Sequence, residues 1–325
     1  MRPLLILLAL LGLALPAFAQ SSPEAPARPA LIVLGYHDVR DDVRTGIDRD
    51  PDALSTDHLI AHFDWLKANG YNVVSLQQVV DATNGGAPLP RDAVLLTFDD
   101  GLVSFYTRVY PLLRAYHYPA VQALVGSWMD MPAGQRMPYN GADCDRSCFL
   151  SWEQVEEMQK SGLVEFASHS WQMHQGMNAN PQGNLLPTAA ALAYDATKQR
   201  YETVDEYKAR IRADLSRSAD EIEKHTGVRP RAVAWPYGAY TQVGRDVARD
   251  LGMPVTFSLG DRLPTLVPGK TIPRILVSDN VTANRLGWLM RHSTRIDPVR
   301  AVQIDLDYVY DPDPCLLYTS DAADE

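Results

Sequence analysis

The strongest constraint on this chain is an alternation, kept up from Ala30 to Arg291, of short apolar runs with amphipathic helical stretches. Leu31-Ile32-Val33-Leu34, Ala93-Val94-Leu95-Leu96, Ala120 to Val125, Leu163 to Ala167, Arg231 to Ala234, Val255 to Ser258 and Arg274 to Val277 read as strands, with Tyr71 to Leu76 as another. Helices are expected at about 57–69, up to about 81, at 103–116, 151–160, 204–225, 242–251 and 284–291. The first carries Leu59, Ile60, Phe63 and Leu66 on one face and stops at Gly70; Ser151-Trp-Glu-Gln154 opens another with a capping box. Largely apolar strands alternating with helices imply a mostly parallel sheet, either open or closed into a barrel. Such a barrel is one domain of ~200–250 residues. Loops at the C-terminal ends of its strands converge on one face, so polar residues at those tips are where ligand is met.

Four tips are polar. Tyr36-His37-Asp38 follows the first run, and Thr97-Phe98-Asp99-Asp100-Gly101 follows the second. Two adjacent carboxylates at the end of a buried strand are costly unless a metal, a cation or a catalytic task compensates them; the plain alternative is a solvated turn. Ser168-His169-Ser-Trp-Gln-Met-His174 puts two imidazoles five apart, wrong for one helical face but easy for a loop around an ion. Each His alone is more often a core or surface residue. Together with a strand-tip Asp they form a set of two histidines and one carboxylate, the usual protein share of a divalent site. The fourth tip is Ala234-Trp235-Pro236-Tyr237-Gly238. Its aromatics suit either core packing or a ligand-facing wall, and the second is our expectation.

The ends of the chain bear on compartment. Met1-Arg2-Pro3, an apolar run from Leu4 to Leu15 and Pro16-Ala17-Phe18-Ala19 read as a signal peptide over residues 1–19, followed by a flexible leader over 20–30. No cysteine stands at the cleavage point, so no lipoprotein anchor is expected and the compartment is the periplasm or beyond. There Cys144 and Cys148 would form a local disulfide rather than half of a metal site. The net charge of −10 argues against nucleic acid and anionic membranes as partners. Residues 315–325 break from what precedes them and resemble a translated sequencing adapter. We set them aside as a non-native tail and expect the natural protein to continue past Pro314.

The motifs at these tips resemble those of the carbohydrate esterase family 4 polysaccharide deacetylases. Thr97 to Gly101 is similar to their first motif and His169…His174 to their second, which is commonly one residue shorter. The longer spacing, the Tyr-His-Asp at the first strand and Ala-Trp-Pro-Tyr-Gly at 234–238 resemble a circularly permuted, periplasmic subgroup of biofilm export systems. The likeness covers most of 31–296, and Asp305 to Asp313 resembles the start of that subgroup's second, glycan-hydrolase-like domain, placed here at 297–314.

The resemblance implies an α/β fold, a distorted (β/α) barrel of about seven strands with NodB homology. It implies a divalent metal ion (Zn, Ni, Co or Fe) held by Asp100, His169 and His174, Asp99 as general base, and His37 as general acid. Tyr237 would offer a backbone N–H to the oxyanion, with Trp235 and Pro236 beside the sugar. An amide is a poor electrophile with a poor leaving group, so an acid, a base and a Lewis acid in one pocket make chemical sense. One departure stands out: family members often carry an arginine where this chain has Ala234, so whatever balances Asp99 comes from elsewhere, and Arg274 is the candidate we name. The implied substrate is a β-linked N-acetylglucosamine polysaccharide, deacetylated during export through an outer-membrane exporter. Other readings are a deacetylase of peptidoglycan, chitin or xylan, and a barrel that binds glycan without chemistry.

Overall fold

A computed structural model describes residues 31–260, 264 and 266–292. The signal peptide, leader, 297–314 segment and tail expected above lie outside these residues, as does Cys315.

Seven parallel strands close on themselves: β1 (Leu31–Tyr36), β2 (Ala93–Phe98), β3 (Ala120–Leu124), β4 (Val164–Ser168), β5 (Ala232–Ala234), β6 (Val255–Leu259) and β7 (Ile272–Leu276). Their order around the barrel is β1-β7-β6-β5-β4-β3-β2, and β2 returns to β1 with Leu31 opposite Ala93 through Tyr36 opposite Phe98. A two-residue strand, Asn72–Val73, extends the base beside β2.

Side-chain alternation decides what faces the barrel axis. Leu31, Val33, Ala93, Leu95, Val121, Ala123, Ala167, Ala232, Ala234 and Ile272 share one buried cluster, which Val74, Leu76 and Val79 close off. The residues between them, Ile32, Leu34, Val94, Leu96 and Phe98, belong to a second cluster under the helices. Extending the first row by two-residue steps reaches His37 after Val33 and Gly35, Asp99 after Leu95 and Thr97, and His169 after Ala167. The same period that buries the core therefore lifts three polar groups to one mouth.

The helices are α1 (Thr56–Ala68), α2 (Leu76–Thr83), α3 (Tyr110–Tyr116), α4 (Trp152–Lys160), α5 (Val204–Thr226), α6 (Gln242–Asp250) and α7 (Ala283–His292). Capping boxes open α2 at Ser75, α4 at Ser151 and α5 at Thr203, and Gly227 ends α5 in the left-handed region. Two expectations are revised. The strand over Tyr71 to Leu76 is only two residues long, because the Ser75–Gln78 box draws Leu76 into α2. The helix over 103–116 begins as a π-turn, Phe105–Val109. Pro111 has no N–H to continue an ordinary ladder, and Tyr110 N–H reaches Phe105 O instead.

The stretch from Gly126 to Leu150, read as irregular, holds a helical turn (Gly126–Met129) and a hairpin pairing Met137–Tyr139 with Ala142–Cys144. Asn140 and Gly141 turn that hairpin with φ of 42° and 77°, the pattern of a type I′ turn. The expected Cys144–Cys148 disulfide is formed just behind it.

Candidate active site

Three of the four loops leave their strands through a residue in the left-handed region: Asp100 (φ 75°), Ser170 (φ 73°) and Tyr237 (φ 59°). Such conformations are sparse for residues with a Cβ and persist where surrounding structure holds them. At Asp100 the consequence is direct: Asp99 and Asp100, which would point to opposite sides of an extended chain, both line the cavity at the barrel mouth. Gly238 completes the last turn, because a Cβ there would sit 2.5 Å from the Leu259 backbone nitrogen.

Asp99 N–H bonds Tyr36 O at 3.0 Å, extending the β1–β2 ladder to the doublet itself. Its carboxylate is gripped by Arg274 of β7 through two parallel bonds, Nη1 to Oδ1 and Nη2 to Oδ2, both 2.7 Å. Arg274 is 1% exposed and also donates to Thr97 Oγ1 and Ser258 O. Burial alone would raise the Asp99 pKa, but the guanidinium, with His169 and His37 nearby, holds it below the ordinary carboxylate value. The arginine missing at position 234 is thus replaced, in space, by the residue named from sequence. His37 Nε2 stands 3.9 Å from Asp99 Oδ2, and its buried Nδ1 has no hydrogen-bond partner.

Asp100 Oδ1 lies 3.3 Å from both His169 Nε2 and His174 Nε2. His169 Nδ1 is 2.7 Å from Ala234 O, which fixes it as the protonated nitrogen and turns Nε2 into the pocket. Burial opposes ionisation of Asp100, yet the imidazoles of His174, His169 and His37 bring its pKa far below the ordinary value. For His169 the carboxylates outweigh the downward pull of burial and its pKa rises; for His174 burial dominates and it falls. Asp100, His169 and His174 each offer one donor atom, all within 4.8 Å of one another. Asp100 Oδ1 is buried and accepts no hydrogen bond. An anionic oxygen orphaned between two imidazole nitrogens fits a divalent cation, which all three donors could ligate.

The six-residue span from His169 to His174 is held from below by Asp214 of α5. Its Oδ1 accepts from Trp171 N–H at 2.7 Å and its Oδ2 from Gln172 N–H at 3.0 Å. Trp171 packs over Gly126, where a Cβ would come within 2.3 Å of the ring, and Arg217 lies 3.8 Å from its centroid.

These groups line a cavity of roughly 230 Å³ with Asp52, Trp128, Tyr139, Asn140 and Tyr237. Tyr237 is half-exposed and lies against His174, ring centroids 4.6 Å apart. Trp235 borders the same cavity, but its side chain is fully buried, packed with Tyr207, Val247 and Ala248 beneath α5 and α6 and stacked with Tyr240. Pro236 is buried and sets the turn that presents Tyr237.

Sequence reading did not find Tyr139, Asp214 or Asp52. For Tyr139 a signal existed: Asn140-Gly141 is the strongest short-range hairpin dipeptide. Asp214 lies in the middle of a helix and carried none.

A closed parallel barrel carries at its C-terminal mouth a carboxylate and two imidazoles that could hold a metal ion, beside a second, charge-balanced carboxylate, an arrangement suited to a hydrolase. The comparisons give the family. A sequence model described as polysaccharide deacetylase matches residues 86–256, and the chain belongs to that family. The matched stretch holds Asp99, Asp100, His169, His174 and Tyr237, while His37 and Arg274 come from strands on either side of it. The chain is 39% identical over 280 residues to the poly-beta-1,6-N-acetyl-D-glucosamine N-deacetylase of Escherichia coli K12, covering 86% of this chain and 41% of that one. It thus spans about two fifths of the curated relative. Among solved structures, a de-N-acetylase from Aggregatibacter actinomycetemcomitans superposes with TM-score 0.72 at 42% identity, covering 80% of this chain and 99% of that one. The BpsB deacetylase domain from Bordetella bronchiseptica gives 0.68 at 44% identity, with coverages of 76% and 95%.

Proposed function

We propose that this chain is a metal-dependent deacetylase that removes acetyl groups from amino-sugar nitrogens of poly-β-1,6-N-acetylglucosamine, releasing acetate. The observation that carries the reading is the division of labour in the Asp99–Asp100 doublet: one carboxylate is neutralised by Arg274, the other is orphaned between His169 and His174.

In this reading Asp100, His169 and His174 hold the ion, which when bound supplies Lewis acidity for water and carbonyl alike. Asp99, kept ionised by Arg274, accepts the proton of the attacking water. His37, across the pocket from Asp99, donates a proton to the departing amine, without which the C–N bond would expel an unstable amide anion. The Tyr237 N–H, set in its left-handed turn, stabilises the oxyanion, while its half-exposed ring faces the sugar. The linkage is proposed from the printed names of the relatives, the metal identity (Zn, Ni, Co or Fe) from the donor types. The signal peptide expected over 1–19 supports action in the periplasm, and the deacetylase unit is proposed to span 31–296.

The test is acetate release from β-1,6-linked N-acetylglucosamine oligomers, abolished by a chelator and restored by one of these ions. Equal or faster turnover of β-1,4-linked oligomers or acetylxylan would move the reading to another polysaccharide. Glycan binding with no acetate released under any ion would leave a binding barrel.

A further inference from the structure

The structure assigns Tyr139 as a positioning residue for the Asp100–His169–His174 centre: its hydroxyl holds Asp100 Oδ2, so that Oδ1 alone is presented to the two imidazoles. This rests on the proposed metal centre and concerns how one of its ligands is oriented.

The two oxygens of Asp100 have different surroundings. Oδ2 accepts from the Tyr139 hydroxyl at 2.6 Å, a short charge-assisted bond. Oδ1 accepts none and sits equidistant from His169 Nε2 and His174 Nε2. A carboxylate at a strand tip can otherwise rotate about its last torsion, which is broad, and offer either oxygen or both. The phenol removes that freedom. Both groups are buried, Tyr139 at 8% exposure and Asp100 at 2%, so bulk water is poorly placed to substitute for the hydroxyl.

Tyr139 is itself fixed. It ends one strand of the hairpin turned by Asn140-Gly141 and packs edge-on against Trp128 and Phe149 in a cluster that includes Cys144. Trp128 also lies against His174, with centroids 4.8 Å apart. One aromatic wall therefore sets the orientation of two of the three donors. The hydroxyl bonds Oδ2, not the Oδ1 that meets the imidazoles, so its influence on an ion is exerted through Asp100.

The test uses the full chain stripped of metal and titrated with Zn²⁺ alone against a chromophoric chelator, then with Co²⁺ alone to record the visible ligand-field spectrum. Tyr139→Phe keeps the ring and its packing. It is expected to weaken Zn²⁺ binding about 10–100-fold, the range for loss of a group that orients a ligand, and to change the cobalt band shape and intensity. Melting curves of the metal-free proteins show that the variant is folded before either titration is read. A Kd within threefold of wild type together with an unchanged cobalt spectrum overturns the assignment. A wild-type chain that binds neither ion overturns the metal centre itself, which is a different result.

Discussion

Replacing Arg274 with methionine tests the electrostatic design at its centre. The guanidinium and the Asp99 carboxylate are nearly inaccessible to water, and the pair is bidentate at 2.7 Å. Arg274→Met leaves a buried carboxylate whose nearest cationic candidate is His37, 3.9 Å away. Removing one partner of a buried ion pair costs about 3–5 kcal/mol, because the other charge stays uncompensated. At ~2–4 °C per kcal/mol for a domain of this size, the metal-free melting temperature should fall by roughly 6–20 °C at pH 7.5. Asp99→Asn alone should cost a similar amount, stranding the arginine. The double variant carries neither charge and should recover most of the loss, giving a favourable coupling energy in a double-mutant cycle.

The pH dependence follows from the same pair. With Arg274 present the Asp99 pKa is below its unfolded value, so the pair stabilises above the unfolded pKa and loses that contribution as pH falls through the folded one. Without Arg274, burial raises the Asp99 pKa above the unfolded value. The penalty then applies above the raised pKa and is relieved on acidification. The gap between wild type and Arg274→Met should therefore narrow from pH 7.5 to pH 5. A loss under about 2 °C, or a double variant no more stable than either single one, refutes the reasoning.

Two further predictions concern other parts of the fold. His62, buried beneath α7 with its Nε2 against Val281 O, has its pKa pushed down to about 4 by burial. The unfolded chain then binds the extra proton first, so stability is lost as pH falls from about 6.5 toward 4, by roughly 3 kcal/mol. Urea denaturation at pH 7 and pH 4.5 should show this slope and His62→Gln should reduce it; an unchanged slope means His62 is not its source. Asp214→Ala removes the acceptor for the Trp171 and Gln172 N–H groups and should weaken Zn²⁺ binding about 10-fold or more while α5 stays helical by circular dichroism; an unchanged Kd shows the His169–His174 span holds itself.

Much of this was legible in the sequence because it is local. Strand alternation, the Ser151 capping box and the Gly70 stop depend on residues within a turn or two of one another, and all appear as expected. The strand-tip groups His37, Asp99, Asp100, His169 and His174 were legible because a parallel barrel sends C-terminal tips to one mouth, so position along a strand suffices to gather them. For Trp235 position along the strand was not enough. A tip residue can face the ligand or the packing layer behind it, and here the α5–α6 layer encloses a ring that still borders the cavity.

By itself, then, the sequence determined the elements, their order and the residues brought to the barrel mouth, since hydrophobic period and capping act over a few residues. Only the tertiary structure decided that β2 returns to β1 and closes the ring, and that Arg274 meets Asp99 from 175 positions away. It also decided that Tyr139 and Asp214 reach in from a hairpin and a helix to orient Asp100 and the His169–His174 loop. Those contacts depend on how layers stack, and a pairwise meeting at long separation leaves no periodic trace in one chain. The Asp99–Asp100 doublet shows both levels. Its place at a strand tip is written in the residues before it, but which carboxylate is neutralised and which is left open to a cation is settled by groups that arrive only when the barrel closes.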